Sequence, residues 1–208
     1  MSQRPEIVVF DIGNVLLGWD PETWFTDRIG AERTQAFFDA TGILHANERV
    51  DLGHPFSDTI LSLATAYPDW AEEVQMWHDN WLSLASPAIP HSVRLLRALR
   101  AREVPVYALS NFGVQTFEIA LSAYPFLAEF DRSYISGHMQ VIKPDPEIYA
   151  RLEDDSGAAP GTLLFADDRP DNIAAAAARG WHTHLFTDPQ GWADRLVAEG
   201  LLSKADAA

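Results

Sequence analysis

The chain has 208 residues, of which 47% are apolar and 22% charged, so it is long enough for one folded domain, with or without an insertion. Fifteen basic residues against thirty acidic ones give a formal net charge of −15, which disfavours binding to nucleic-acid backbones and to anionic membrane surfaces. The absence of cysteine excludes disulfides, thiolate metal sites and cysteine nucleophiles.

Short apolar runs that predict buried strands alternate along the chain with amphipathic runs that predict helices. The predicted strands cover residues 7–10, 104–109, 132–135, 162–166 and 183–186. The predicted helices cover residues 90–102, 146–153 and 170–179, and each begins with a proline. Strands separated by helices imply parallel βαβ units, so we expect an open α/β sheet with ligands beyond the carboxyl ends of its strands.

Residues 20–86 interrupt this alternation, because they contain helical patterns and no convincing strand. An all-helical insert of this length is typical of a cap, since most connections between strands and helices are much shorter. We therefore predict a catalytic core of residues 1–19 and 87–208 with a helical cap of residues 20–86. The alternative, in which these helices only pack on one face of the sheet, stays open.

Four polar clusters lie close to the ends of the predicted strands. They are Asp11, the pair Ser110 and Asn111, Lys143, and the pair Asp167 and Asp168. If they converge, three close carboxylates repel one another and take up protons unless a cation neutralises them. Mg²⁺ suits oxygen ligands best. An aspartate could then attack phosphorus while the metal and Lys143 spread the developing charge.

Four segments resemble, in order and spacing, the motifs of the haloacid dehalogenase-like (HAD) hydrolases. They are FDIGNVL at 10–16, LSN at 109–111, KPDPEIY at 143–149 and FADD at 165–168. The resemblance covers nearly the whole chain and implies a Rossmann-like parallel sheet flanked by helices, with a small helical cap inserted after the first strand. Within the superfamily, the chain resembles the small sugar-phosphate phosphatases, such as the bacterial α-D-glucose-1-phosphate phosphatase subgroup.

This resemblance implies a Mg²⁺-dependent phosphatase that acts on a small phosphorylated metabolite, in particular a sugar phosphate. Asp11 would be the nucleophile that forms an aspartyl-phosphate, and it would also bind the metal. The carbonyl of Gly13 together with Asp167 and Asp168 would complete the metal's protein ligands, and Asn172 would support them.

The same resemblance implies the substrate contacts. Ser110 and the Asn111 amide would bind phosphoryl oxygens, and Lys143 would bridge the nucleophile and the phosphate. In the insert, the segment HANER at 45–49 is similar to the substrate-facing cap segment of that subgroup, so His45 and Arg49 are candidate substrate contacts.

One position departs from the family pattern. Most phosphatases of the superfamily carry a general acid and base aspartate two positions after the nucleophile, where this chain has Gly13. Such a group is usually worth ~10²–10⁴-fold in rate. Three interpretations stay open: the leaving group needs little protonation, a cap residue such as His45 or Glu48 replaces the aspartate, or the reaction is not phosphate transfer.

Two other functions compete with the phosphatase. A 2-haloacid dehalogenase, with Asp11 attacking carbon, also lacks the second aspartate, but it needs no metal and leaves the pair Asp167 and Asp168 unexplained. A non-catalytic binding protein with the same fold would not need Asp11, Lys143 and the aspartate pair intact.

Location and partners complete the expectations. No apolar run approaches the roughly 18 residues of a membrane span and the first residues show no signal-peptide pattern, so we expect a cytoplasmic enzyme. The expected partner is a small phosphorylated substrate, with no nucleic acid and no membrane, and the expected oligomeric state is monomer or homodimer.

Overall fold

A computed structural model describes residues 4–208 and has a five-stranded, fully parallel sheet at its centre. The strands are β1 Ile7–Phe10, β2 Val106–Ser110, β3 Arg132–Ile135, β4 Leu163–Asp167 and β5 His182–Leu185. Their order across the sheet is β3-β2-β1-β4-β5, and every neighbouring pair is parallel. The predicted strands and the predicted α/β class are therefore confirmed, with strand ends shifted by at most two residues.

Helices flank this sheet and fill the segment after β1. In residues 4–208 they are α1 Pro21–Ile29, α2 Ala31–Thr41, α3 Ile43–Asp51, α4 Phe56–Ala66, α5 Ala71–Asp79, α6 Trp81–Leu84, α7 Pro90–Ala101, α8 Val114–Ala123, α9 Ser136–Met139, α10 Pro146–Ser156, α11 Pro170–Ala178 and α12 Pro189–Ala198. The predicted helices correspond to α7, α10 and α11, whereas no bounds were predicted for α8, α9 and α12. None of the helices in the described part of the chain is long and apolar enough to cross a membrane.

Residues 20–86, all of them described, form helices α1 to α6 and a short 3-10 helix at Pro68–Trp70, with no strand. Their apolar side chains join the larger of two hydrophobic clusters, in which Phe25 and Trp77 belong to the same cluster as Val8 and Phe10 of β1. Val9 points to the opposite face of the sheet and belongs to the second cluster. The strand is buried on both faces, which explains its continuous apolar sequence. The division into core and cap stays a prediction.

Helix α3 is held firmly where it approaches the sheet. Its buried residues Ile43, Ala46 and Val50 recur at helical spacing and fix its rotation. At its last residue, the Asp51 carbonyl accepts a hydrogen bond from Ser136 Oγ at 2.6 Å. Ser136 begins α9 directly after β3, so this contact ties the end of α3 to the carboxyl edge of the sheet.

Candidate active site

The carboxyl edge of the sheet brings three predicted site residues together. Phe10 pairs with Ala108 of β2 and with Ala166 of β4, so Asp11 lies between the ends of those two strands. Ser110 is the last residue of β2 and Asp167 the last of β4. Because the strands on the two sides of β1 are reached by different crossovers, a crevice opens here, as in other open α/β sheets.

A cavity of about 250 Å³ occupies this crevice. Its volume is below the roughly 300–1,000 Å³ typical of sites for drug-sized ligands, which suits a small metabolite. Six predicted site residues line it: Asp11, Gly13, Ser110, Asn111, Lys143 and Asp168.

The Asp11 carboxylate has two different oxygens. Its Oδ1 accepts hydrogen bonds from the Ile12 backbone N–H at 2.7 Å and from Ser110 Oγ at 2.7 Å, and lies 2.9 Å from Lys143 Nζ. All three contacts are made to Oδ1, and Oδ2 accepts no hydrogen bond from the described residues. Burial raises the pKa of Asp11, the nearby charge of Asp167 adds to this, and Lys143 opposes it.

The Lys143 ammonium uses all three of its donors inside the protein. Besides Asp11, Nζ donates to the Leu109 carbonyl at 2.8 Å and to Asp167 Oδ2 at 2.7 Å. Burial lowers the pKa of Lys143, but the charges of the two carboxylates outweigh burial, and the net shift is upward. Lys143 is therefore a fixed positive charge beside the candidate nucleophile.

The two neighbouring aspartates differ in their surroundings. Asp167 is fully buried, and its oxygens accept hydrogen bonds from Lys143 Nζ, the Arg169 backbone N–H and Asn172 Nδ2. Asp168 is half-buried and lines the cavity. These hydrogen bonds favour Asp167 as the support of Lys143 and Asp168 as the carboxylate available to a cation.

Asp11, Asp167 and Asp168 nevertheless form one cluster, with one oxygen from each within 4.8 Å of the others. Three carboxylates and the single ammonium of Lys143 carry a formal charge of −2. Hard oxygen donors with this excess charge fit a divalent cation of the Mg²⁺ type.

Asn111 links the two loops that carry Ser110 and Lys143. Its Nδ2 donates to the Lys143 carbonyl at 2.9 Å, and its Oδ1 accepts from the Lys143 backbone N–H at 2.8 Å. The side chain is thus engaged in positioning Lys143.

Asn14 was not predicted to be a site residue. Its Nδ2 donates to Asp168 Oδ2 at 2.9 Å, and its Oδ1 accepts from the Trp19 backbone N–H at 2.8 Å. It has a positive φ of 53°, which asparagine tolerates better than most residues. Asn14 therefore orients Asp168 while it shapes the loop after β1.

The helical segment contributes Glu48, which was a candidate from the sequence, and two residues that were not predicted, Asn47 and Asp51. The His45 side chain is 79% exposed and bound to Glu48, and neither His45 nor Arg49 lies in the cavity wall. Asn47, Glu48 and Asp51 line the cavity instead. The predicted substrate contacts of His45 and Arg49 are not brought to the site, because these side chains lie on the outward face of α3.

The fold and the site together define an open α/β protein with a cluster of carboxylates and a lysine at the carboxyl ends of its central strands. A sequence profile described as haloacid dehalogenase-like hydrolase matches residues 5–180. The chain belongs to this family.

Two curated relatives are longer than this chain, and the chain matches only part of each. The chain is 31% identical over 185 residues to Drimenol cyclase drtB of Aspergillus calidoustus, a match that covers 86% of this chain and 33% of the cyclase. It is 26% identical to Enolase-phosphatase E1 of Persephonella marina, covering 57% of this chain and 55% of that protein. The chain thus spans between a third and just over half of the length of these relatives.

Solved structures share the fold at low sequence identity. The HAD family enzyme bt-2542 from Bacteroides thetaiotaomicron, in complex with magnesium and inorganic phosphate, has a TM-score of 0.68 at 23% identity, covering 88% of this chain and 94% of that one. The L-2-haloacid dehalogenase of Xanthobacter autotrophicus has a TM-score of 0.61 at 18% identity, covering 97% and 86%. These likenesses establish the fold and leave the reaction to be argued from the site.

Proposed function

We propose that the chain is a Mg²⁺-dependent phosphatase of small phosphorylated metabolites, with Asp11 as the nucleophile. The observation that carries this proposal is that Asp11, Lys143 and Asp168 line the same cavity, with Lys143 Nζ 2.9 Å from Asp11 Oδ1. A phosphate complex of the structural neighbour bt-2542 and the phosphatase name of one relative are consistent with it. A cytoplasmic location and a monomeric or homodimeric state stay predictions.

The residues present fit the proposed metal. Asp11 and Asp168, together with the carbonyl of Gly13, would hold Mg²⁺ at the cavity wall, with Asp167 close behind. When bound, the ion would neutralise phosphoryl oxygens and allow an anionic nucleophile to approach an anionic ester.

The chain's own residues supply the remaining steps. Oδ2 of Asp11 attacks phosphorus, and the ester P–O bond breaks as the Asp11–phosphorus bond forms. Lys143 stabilises the added negative charge from its fixed position beside Oδ1. A water oxygen then attacks phosphorus, which releases inorganic phosphate and restores the Asp11 carboxylate.

The cavity composition favours a sugar phosphate among the possible metabolites. Trp19, Trp81 and Phe112 supply aromatic faces against which the apolar side of a sugar ring can pack. Asn47 adds a buried Oδ1 with no hydrogen-bond partner among the described residues, an acceptor suited to a sugar hydroxyl. This combination is consistent with the resemblance to the α-D-glucose-1-phosphate phosphatase subgroup.

A dehalogenase is the second candidate, because dehalogenases share the fold and the aspartate nucleophile. The formal charge of −2 in the carboxylate cluster favours the cation-dependent reaction over it.

A release assay separates the two functions. Phosphate release is measured from p-nitrophenyl phosphate, hexose 1-phosphates, hexose 6-phosphates and flavin mononucleotide, with Mg²⁺ or with EDTA, and chloride release is measured from 2-chloropropionate. We expect Mg²⁺-dependent phosphate release with a preference for a hexose phosphate. Activity that survives EDTA, or chloride release without phosphatase activity, contradicts the proposal.

The matched variant for this assay is Asp11→Asn, which keeps the shape of the side chain and removes the nucleophilic charge. We expect turnover to fall by at least about 10⁴-fold, because the covalent route is lost. Unchanged circular dichroism is the control for folding. Retained turnover in a folded variant removes Asp11 from its role.

A further inference from the structure

Position 13 leaves open space beside the candidate nucleophile. A Cβ built on Gly13 meets no atom within 4 Å, and the residue lines the cavity. Position 13 therefore supplies no side chain where the family's usual general acid would act. A proton for the leaving group has to come from another wall.

Asp51, the last residue of α3, is the carboxyl group that the helical segment presents to this cavity in a fixed position. Asn47 Nδ2 donates to its Oδ2 at 3.2 Å, and the Gly113 backbone N–H also bonds to the carboxyl group. Its carbonyl is held by Ser136 Oγ at 2.6 Å. Contacts from α3 and from the loop after β2 thus hold the Asp51 side chain, and a contact from α9 holds its backbone.

The protonation state of Asp51 suits proton transfer at neutral pH. Burial raises its pKa to about 7, with the charges of Glu48 and Asp11 adding to the effect. The other charged groups of the cavity wall are Lys143, Asp168 and Arg169. An acid with a pKa near the working pH is available both to give and to take a proton.

The other candidates on α3 are less well placed. Glu48 also lines the cavity, but its side chain is 62% exposed and pairs with His45. His45 itself is outside the cavity wall.

Resting on the proposed phosphatase function, we propose that Asp51 is the general acid and base of the reaction, in place of the aspartate missing at position 13. Asp51 gives its carboxyl proton to the leaving-group oxygen as the ester P–O bond breaks and the Asp11–phosphorus bond forms. The resulting Asp51 carboxylate takes a proton from the water whose oxygen attacks phosphorus. That second step breaks the Asp11–phosphorus bond and restores both side chains.

The test compares two leaving groups in the same enzyme. p-Nitrophenolate leaves without a proton, whereas an alkyl or sugar alkoxide needs one, and kcat/KM reports the step in which the leaving group departs. We expect Asp51→Asn to lower kcat/KM by ~10²–10⁴-fold for the alkyl ester and by less than about 10-fold for p-nitrophenyl phosphate. A burst of about one nitrophenolate per enzyme is also expected, because loss of the base slows hydrolysis of the aspartyl-phosphate.

Three further variants make the test decisive. Asp39→Asn removes an exposed carboxylate on α2 and should leave both substrates unchanged. Gly13→Asp, added to Asp51→Asn, should restore at least about 10-fold of the alkyl-ester activity by placing a carboxyl group in the open space. Glu48→Gln tests the neighbouring carboxylate, and a leaving-group-dependent loss in that variant instead of Asp51→Asn overturns the proposal.

Other outcomes are equally informative. Equal losses of Asp51→Asn on both substrates indicate a merely structural role and overturn the proposal. If Asp51→Asn fails to fold, Asp51→Glu must show a selective loss on the alkyl ester. If the wild-type chain hydrolyses no phosphate ester, the proposed function falls first and the role of Asp51 with it.

Discussion

At the scale of single residues, Lys143 concentrates positive charge where an acidic chain has little of it. The chain has fifteen basic residues, and only Lys143 and Lys204 are lysine. Lys143 is 1% exposed and donates to Leu109, Asp11 and Asp167. A compact ammonium with three donors fits these three acceptors, whereas the planar fork of arginine does not.

Removal of this charge should be costly. Lys143→Gln leaves Asp11 and Asp167 as buried carboxylates without a counter-charge, so we expect a loss of about 3–5 kcal/mol in the free energy of unfolding. Lys204→Gln changes the other, exposed lysine and should stay within about 0.5 kcal/mol of the wild type. Urea unfolding in EDTA measures both, and equal stabilities of the two variants contradict the structural role of Lys143.

The sequence pattern predicted that polar residues converge at the strand ends, but it did not predict the different contacts of the adjacent residues Asp167 and Asp168. Asp167 and Asp168 are adjacent in sequence, and both were predicted as metal ligands. Successive side chains at a strand end point to opposite sides of the sheet. Asp167 therefore accepts a hydrogen bond from Lys143, whereas Asp168 lines the cavity. Only the three-dimensional surroundings distinguish the two.

The residues of α3 illustrate the same limit on a helix. His45 and Arg49 were predicted from a resemblance in sequence, whereas Asn47 and Asp51 lie in the cavity wall. Two positions along a helix correspond to a rotation of about 200°, which separates these pairs onto opposite faces. The buried residues Ile43, Ala46 and Val50 fix the rotation of α3 in the structure, but the sequence alone does not show on which side of that stripe the cavity lies.

At the scale of elements, the three central strands β1, β2 and β4 were predictable because each is a short apolar run that is almost completely buried, whereas the edge strands β3 and β5 are partly exposed and carry a weaker apolar pattern. The bounds of helix α8 were not predicted because it begins after Gly113 with no side-chain cap, so its start carries a weak signal. Helix α12 was missed although Asp188 caps it and Pro189 begins it, a pattern that the sequence did offer.

The packing of α3 against the loop after β2 depends on Gly113. A Cβ at this position would contact Val50 Cγ1 too closely and would lie 3.0 Å from the Val50 carbonyl oxygen. We expect Gly113→Ala to shift α3, to cost about 1–3 kcal/mol in stability and to lower activity by displacing Asp51.

Gly191→Ala is the matched control for that variant. Gly191 lies inside α12, and a Cβ built there has only ordinary contacts, at 3.5 Å or more, with the capping residue Asp188. Alanine in a helix should make it as stable as the wild type or up to about 1 kcal/mol more stable. Thermal unfolding and kcat/KM are measured for both variants. An active, fully stable Gly113→Ala variant would mean that α3 does not depend on close packing here.

At the scale of the whole molecule, the raised pKa of Asp51 makes stability depend on pH. The unfolded chain releases this proton near the usual 3.8, whereas the folded protein keeps it up to about 7. Between these values the folded state binds more protons, so the contribution of Asp51 to the free energy of unfolding falls as pH rises.

Asp51→Asn removes that titration, so its stability relative to the wild type should increase from about pH 4 to about pH 7. The measurement is urea unfolding in EDTA across this range, with Asp39→Asn as the exposed control. A difference between Asp51→Asn and the wild type that does not change with pH contradicts the raised pKa.

The net charge of −15 bears on metal binding because any added cation weakens the repulsion among thirty acidic residues. This screening of repulsion depends only on ionic strength. Stabilisation by a cation bound at Asp11, Asp167 and Asp168 instead reaches a plateau once the site is full. The two contributions are separable when MgCl₂ and NaCl are compared at equal ionic strength.

We expect Mg²⁺ to raise Tm beyond the NaCl curve and then to saturate. At one hundred times Kd, binding adds about 2.7 kcal/mol, which for a chain of this size is a shift of roughly 5–10 °C. Asp168→Asn removes a carboxylate that faces the cavity without touching the Lys143 contacts, so it should lose the saturable part and keep the ionic-strength part. Identical MgCl₂ and NaCl curves for the wild type would mean that the carboxylate cluster binds no specific cation.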